Sequence, residues 1–427
     1  MDVPIAAVLP VGALVGDAVA LASLSAASLV GRRLGIDAPA IDVDPVRTAT
    51  AVTSERHLRI DGEHPQAWAE VSGFWRAADG WVRSHANYSH HRERLLDSLG
   101  LWHGASAEDV MGAIATWGSH DLEDAVAARG GVLARVRTEE EWRAHPQAIA
   151  VAGHPLLAIS QLDDKPNGWR APAALDAPLA GIRVLDLTRV IAGPVATRTL
   201  ALWGADVLRV DSPLNPEIGW QHLDTGAGKR STLLDLGRPS DRATFDALLE
   251  TADVVVTGYR AGSLDKYGLS PSALVERRPG IVVARLSAWG SDGPFADRRG
   301  FDSIVQAASG IAMIESADGE RPGAMPAQAL DHSAGYLLAT GIATALRDQR
   351  GGALVETSLA RIAQTLLASP RPATVAHPSW QPTTWQPTTE QRDAITTALP
   401  APGYVGGPRD WPTGPVQWGS SAPEWRD

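Results

Sequence analysis

Residues 179–213 read LAGIRVLDLTRVIAGPVATRTLALWGADVLRVDSP. IRVLDL, 182–187, is a continuous apolar run bounded by Gly181 and Thr188, the pattern of a strand buried on both faces. Gly193-Pro194 then opens a helix, where a proline's missing N–H is harmless. That helix stops near Gly204, and DVLRVD, 206–211, gives a second strand. ADVVVTG (252–258) and GIVVARLS (280–287) supply two more. Strands spaced by helices imply a parallel sheet with right-handed crossovers, an α/β fold with a Rossmann-like sheet. No G-x-G-x-x-G follows the first strand, which argues against dinucleotide binding. Asp211 then reads as a solvated acid at a strand end rather than a ribose ligand.

The rest of the chain divides around this block. Residues 1–55 are Ala-rich and helical in pattern. Residues 56–160 form a smaller mixed α+β domain in which HHRERLLDSLG and SHDLEDAVAARGG both end in helix-stopping glycine. Residues 161–177 are a Pro/Asp/Gly-rich linker, and 178–370 form the large domain. The tail, 371–427, carries the tandem WQPTT repeat and shows neither helical nor strand period, so it is expected to wrap over a surface. The apolar N-terminus raises the question of a membrane span. Pro10 and Asp17 interrupt it, Ala and Ser dominate it, and no basic residue precedes it, so a buried core helix in a cytoplasmic protein is the reading.

The chain is 44% hydrophobic and 20% charged, with a formal net charge of −11, which fits a globular protein and not a nucleic-acid binder. With no cysteine, disulfides, thiolate metal sites and a Cys nucleophile are excluded. TGAGKRST (225–232) fails as a phosphate loop, because Leu223 stands where its first glycine belongs. No G-x-S-x-G is present. His85, His90 and His91 lack the spacing of a zinc helix and read as a solvated or hydrogen-bonded surface cluster, so no metal site is expected.

One segment remains, PAQALDHSAGYLLATGIATALRDQRGGALVETSL, residues 326–359. From spacing alone, Asp331 before an Ala-rich helix reads first as an N-cap. Residues 178–365 resemble the large domain of the family III CoA-transferases (CaiB/BaiF family, with formyl-CoA and carnitine CoA-transferases). The resemblance rests on 179–213, KRSTLLDL, ADVVVTGYRAGSLDKYGL, VVARLSAWGSDGP, RRGFDSIVQAASG and the Asp331 segment, all in the family's order. It implies that Asp331 is the covalent nucleophile and that the substrates are an acyl-CoA and a carboxylic acid. Coenzyme A enters as a thioester substrate and not as a bound cofactor. A carboxylate ionised at pH 7 would need no general base.

The resemblance also implies CoA contacts. Val190, Ile191 and Ala192 follow the first strand, Arg209 and Ser212 lie on and after the second, and Leu234 lines the adenine. Gly258, Tyr259, Arg260 and Lys266 follow the third strand, and Ser287, Trp289 and Gly290 flank the pantetheine and acyl ends. In the related racemases a Gly-His-Asp run supplies a base; here it is Gly300-Phe301-Asp302, which disfavours an acyl-CoA racemase or isomerase. The glycine-rich loop that covers some family active sites does not follow Asp331, which keeps a non-catalytic CoA-binding partner subunit as an alternative.

Residues 10–33 align with 326–350, placing Val15 opposite Asp331, and 68–150 resemble the family's small domain. The order is therefore that of a duplicated, permuted chain. The family's interlocked dimers imply a homodimer. Sequence leaves open whether the site is completed in cis or across two copies.

Overall fold

The computed structural model describes residues 3–166, 168–260, 262–372 and 388–426. Seven strands form the central sheet: β1 (Ala158–Gln161), β2 (Arg183–Leu187), β3 (Asp206–Asp211), β4 (Arg230–Leu233), β5 (Val254–Thr257), β6 (Val282–Ser287) and β7 (Ala353–Ser358). Their order is β1-β7-β6-β5-β2-β3-β4. Every pairing is parallel except β1–β7. All four residues of β5 are buried, as a strand covered on both faces requires. The chain runs outward from β2 through β3 to β4, then returns to lay β5 on the other side of β2. That reversal makes a crevice outside the carboxyl ends of β2 and β5, the usual ligand position in an open α/β sheet.

Five helices position the site: α1 (Val11–Leu34), α2 (Ser89–Leu99), α3 (Ala192–Leu202), α4 (Asp302–Ala308) and α5 (Ala329–Asp348). α5 packs on the sheet beside α3. Their approach depends on Gly335, where a Cβ would lie 2.6 Å from the Ala192 carbonyl oxygen. α1 is long and apolar enough to cross a membrane by composition, yet most of its apolar stretch is buried in the protein. It lies against α5, where Arg347 donates to Ser28 Oγ at 3.0 Å. Val15, the residue aligned with Asp331, is wholly buried.

Ahead of the sheet, Phe74–Arg76, Trp81–Ser84 and Leu133–Arg135 pair antiparallel over a separate core that includes Leu95, Leu96, Val110 and Leu122. This layer is fixed to the large sheet's region by the Arg137 backbone N–H donating to Ala307 at 3.1 Å.

The tail departs from its sequence reading. Thr389–Arg392 and Ile395–Ala398 form a hairpin that pairs with Arg59–Ile60. Strand character was obscured because this hairpin is mostly polar and only half buried. Beyond it the tail follows the exposed edge of β4. The Gly419 N–H donates to Ser231 Oγ at 3.0 Å and the Ser421 N–H to the Ser231 carbonyl at 2.7 Å. An otherwise unpaired sheet edge is thereby covered. Most of the WQPTT repeat, 380–387, lies outside the described residues.

Candidate active site

At the carboxyl ends of the strands a cleft of about 650 Å3 opens. The loops after β2, β3, β4, β5 and β6 and the start of α5 make one wall. The loop after β2 is held by Asp186, whose Oδ1 accepts from Thr188 N–H at 2.9 Å and Thr188 Oγ at 2.5 Å. It then turns through Val190 at φ +69°. A β-branched residue in the left-handed region is strained, by about 1–3 kcal/mol, and persists only where its surroundings fix it.

Asp331, Val190, Ala192, Ser212, Leu234, Gly258, Tyr259, Arg260, Lys266, Ser287 and Trp289 all reach this cleft. The other three expected contacts do not. Ile191 turns into the core. Gly290 faces a smaller neighbouring depression of about 70 Å3. Arg209, expected beside the adenine, is only 1% exposed and is sealed under the surface by two carboxylates. It donates to Asp211 at 2.7 and 3.1 Å and to Glu217 at 2.6 Å. Asp211 is likewise no solvated strand-end acid: it is buried, paired with Arg209, and accepts the Trp418 indole N–H at 2.9 Å.

Asp331 is not the cap of α5. Gln328 holds that position, and Asp331 is the third helical residue, with its carboxyl buried at the cleft wall. Its own N–H donates to Asp302 Oδ2 at 3.0 Å, while Gln306 donates to Asp302 Oδ1 at 2.6 Å. Burial, then the Asp302 charge, push the Asp331 carboxyl well above the usual carboxylate range. Burial likewise raises Asp302, to about 6. The expectation of a carboxylate freely ionised at neutral pH is therefore corrected: the unliganded pair favours holding a proton, because two carboxyls share a dry site. If Asp331 must be ionised to attack, kcat/KM rises with pH through a point well above the usual carboxylate range. Asp302→Asn, which removes the neighbouring charge but keeps an acceptor for the Asp331 N–H, is expected to move that rise to lower pH. A pH–rate profile unmoved by the substitution would remove Asp302 from this account.

The opposite wall comes from the layer ahead of the sheet. Tyr88, His90, His91 and Arg94 line the same cleft as Asp331, within one chain. The histidine cluster is thus not a solvated surface feature. His85 and His91 are buried, and Phe301 stacks on His85 at 3.9 Å between ring centroids. Burial and the nearby Arg83 lower His85 to about 3; burial and neighbouring imidazoles lower His91 to about 2. Both imidazoles are neutral.

Sequence reasoning missed Tyr88, His91, Arg94, Glu217, Arg299 and the electrostatic role of Asp302. Arg94, Arg260 and Arg299 all line the cleft, and among the described residues each donates to a backbone carbonyl rather than a carboxylate. Burial and the charges of Arg260 and Arg94 lower Arg299 to about 10. Crowded cations without acids suit an anionic ligand. The RER of HHRER was a visible signal, but its distance from the sheet in sequence hid its place.

Comparison with known proteins gives the family. Residues 179–395 match CoA-transferase family III. An acyl-CoA transferase of Gibberella moniliformis is 33% identical over 268 residues, covering 60% of this chain and 47% of that protein. A probable fatty acyl-CoA transferase of Mycobacterium tuberculosis is 33% identical over 208 residues, covering 45% and 53%. A CaiB/BaiF family protein of known structure from Brucella suis is 28% identical with a TM-score of 0.42, covering 45% of this chain and 56% of its own. The chain belongs to CoA-transferase family III. It spans about half the length of the curated relatives it matches.

Proposed function

We propose that the protein moves coenzyme A from an acyl-CoA to a carboxylic acid, with Asp331 as nucleophile. The observation that carries the reading is Asp331 on the wall of a cleft whose other groups include three guanidinia without carboxylate partners. Those cations suit the phosphates of a CoA moiety, and Leu234 and Tyr259 offer apolar surface to its base.

In this mechanism the Asp331 carboxylate attacks the thioester carbonyl and expels the CoA thiolate, leaving an aspartyl–acyl anhydride. The thiolate then attacks the aspartyl carbonyl, giving an aspartyl-CoA thioester and releasing the first acid. The acceptor carboxylate attacks that thioester, forming a new anhydride and freeing the thiolate. Attack of the thiolate on the acyl carbonyl yields the new acyl-CoA and restores Asp331. Each step exchanges one acyl bond for another, so no oxidant, metal or net proton is consumed. Oxyanions formed at the carbonyls need fixed donors.

Racemisation is the weaker reading. Phe301 cannot exchange a proton, and imidazoles lowered to about 2 and 3 are feeble bases for a carbon acid. Both cleft walls come from one chain.

The test is to incubate the protein with a panel of acyl-CoAs, quench with hydroxylamine or borohydride, and map the peptide carrying Asp331. A hydroxamate or reduced side chain at Asp331 is expected, and it would identify the acyl donor. An unmodified peptide across a broad panel, with CoA still binding, would favour a non-catalytic CoA-binding subunit instead.

A further inference from the structure

We infer that Glu217 is a positioning residue that ties the two walls of the cleft together and presets the turn after β2. The inference rests on the reading of the cleft as a CoA-thioester site.

Glu217 is buried to 1% side-chain exposure, and donors surround both its oxygens. Oε2 accepts from Arg209 Nη2 at 2.6 Å and from the Val190 N–H at 3.2 Å. Oε1 accepts from the Ile218 N–H at 2.9 Å and from the Tyr88 hydroxyl, and lies 3.5 Å from Arg189 Nη2. Arg189 in turn sits over the Tyr88 ring, 4.6 Å from its centroid. Two of these partners belong to different walls. Val190 is the strained residue at φ +69°, and its N–H would lose its acceptor if Glu217 were replaced by an apolar group. Tyr88 immediately precedes α2, the helix that carries His91 and Arg94 onto the cleft, and it stands 129 residues away in sequence.

Glu217 lies in the connection after β3, not in a strand, and an apolar side chain could fill its volume. What an acid supplies is a set of directional bonds that fixes a strained turn and a distant helix to the same two oxygens. The cleft is then held at one width before substrate arrives, as preorganised sites require. Burial alone would raise this carboxyl, but Arg209 and Arg189 beside it pull it down to about 2, so it stays an ionised acceptor through the neutral range.

Tyr88→Phe removes only the hydroxyl that reaches Glu217; Glu217→Gln keeps the shape but withdraws the charge. In the full chain, Tyr88→Phe is expected to weaken coenzyme A binding about tenfold, as loss of a hydrogen bond to a charged group would, with kcat within about twofold. Hydrogen exchange of residues 89–99 is expected to quicken by a similar factor. Glu217→Gln should weaken binding further and also lower kcat, because it acts on the Val190 turn as well. A control, Arg230→Met, breaks the ion pair with Asp206 at the far edge of the sheet (2.8 Å) and should lower the melting temperature while moving neither binding nor exchange at 89–99.

A Tyr88→Phe protein with unchanged affinity and unchanged exchange at 89–99 would overturn the inference. Should Glu217→Gln fail to fold, Tyr88→Phe alone decides. Should the wild-type protein bind no coenzyme A, the proposed function fails by itself, and the exchange measurement still decides whether Glu217 joins the walls.

Discussion

Asp331→Asn is expected to lose CoA transfer by at least about 10³-fold, the scale on which removal of a covalent nucleophile acts. Coenzyme A binding should persist, because the cations that suit its phosphates are untouched. The same substitution is expected to raise the melting temperature at pH 8 and leave it nearly unchanged at pH 4. The sign follows from the raised carboxyl. In the folded chain burial and Asp302 make Asp331 hold its proton more tightly than the unfolded chain does. Below the unfolded value of about 4 both states are protonated, and the group costs nothing. As pH rises through the folded value, well above that, the buried group opposes folding more and more. An uncharged amide of the same size removes this cost, so a gain confined to higher pH marks stability given up at a reactive site. Steady-state kinetics with the donor found by trapping, and thermal melts at the two pH values, check both halves. Surviving turnover would show that Asp331 is not the nucleophile. A melting temperature no higher at pH 8 would show that its burial carries no such cost.

Spacing alone reads Asp331 as an N-cap, and only the family resemblance of 178–365 marks it as a nucleophile; the four strands ahead of it were legible because each is built around Val, Leu and Ile. IRVLDL, DVLRVD, ADVVVTG and GIVVARLS appear in the structure at 183–187, 206–211, 254–257 and 282–287. Strands with weaker patterns were invisible. RSTL at 230–233 is polar at three of four positions and AISQ at 158–161 is largely exposed, so neither carries the buried-strand signature. The opposite wall was beyond reach for another reason. Nothing local links Tyr88 to Glu217, and the contact exists only once two layers dock. Burial is equally silent in a sequence. The same letters, HHRER or the acid of DVLRVD, fit a solvated face, and only the fold places His91 against Phe301 and Asp211 beneath Trp418. Charged residues were therefore assigned to solvent or to ligand, when several are paired with one another.

Arg209 makes that difference measurable. If it contacted the nucleotide, Arg209→Met would raise KM for the thioester and leave stability alone. The structure leads to the opposite expectation. Its guanidinium is 1% exposed and lies between Asp211 and Glu217, so methionine would leave two buried carboxylates without this cation. Breaking a buried pair from one side costs about 3–5 kcal/mol, because the remaining charge has lost its solvent and its partner together. Urea unfolding at pH 7 should show that loss. Its pH dependence is also fixed in sign. In the native chain Glu217 is held down to about 2, chiefly by Arg209 against its burial. Its contribution to stability is present above the unfolded value of about 4.3 and fades as pH falls through about 2. Without Arg209, burial is opposed only by the more distant Arg189 and the hydrogen bonds from Tyr88 and Ile218, and the carboxyl is driven toward its protonated form. The deficit of the variant is then largest at neutral pH and shrinks as acid neutralises the site. A variant as stable as wild type at pH 7 but with a raised KM would return Arg209 to the ligand. A variant destabilised at pH 7 and relieved toward pH 4 places it beneath the cleft, holding Glu217, on which the Val190 turn and the Tyr88 helix both depend.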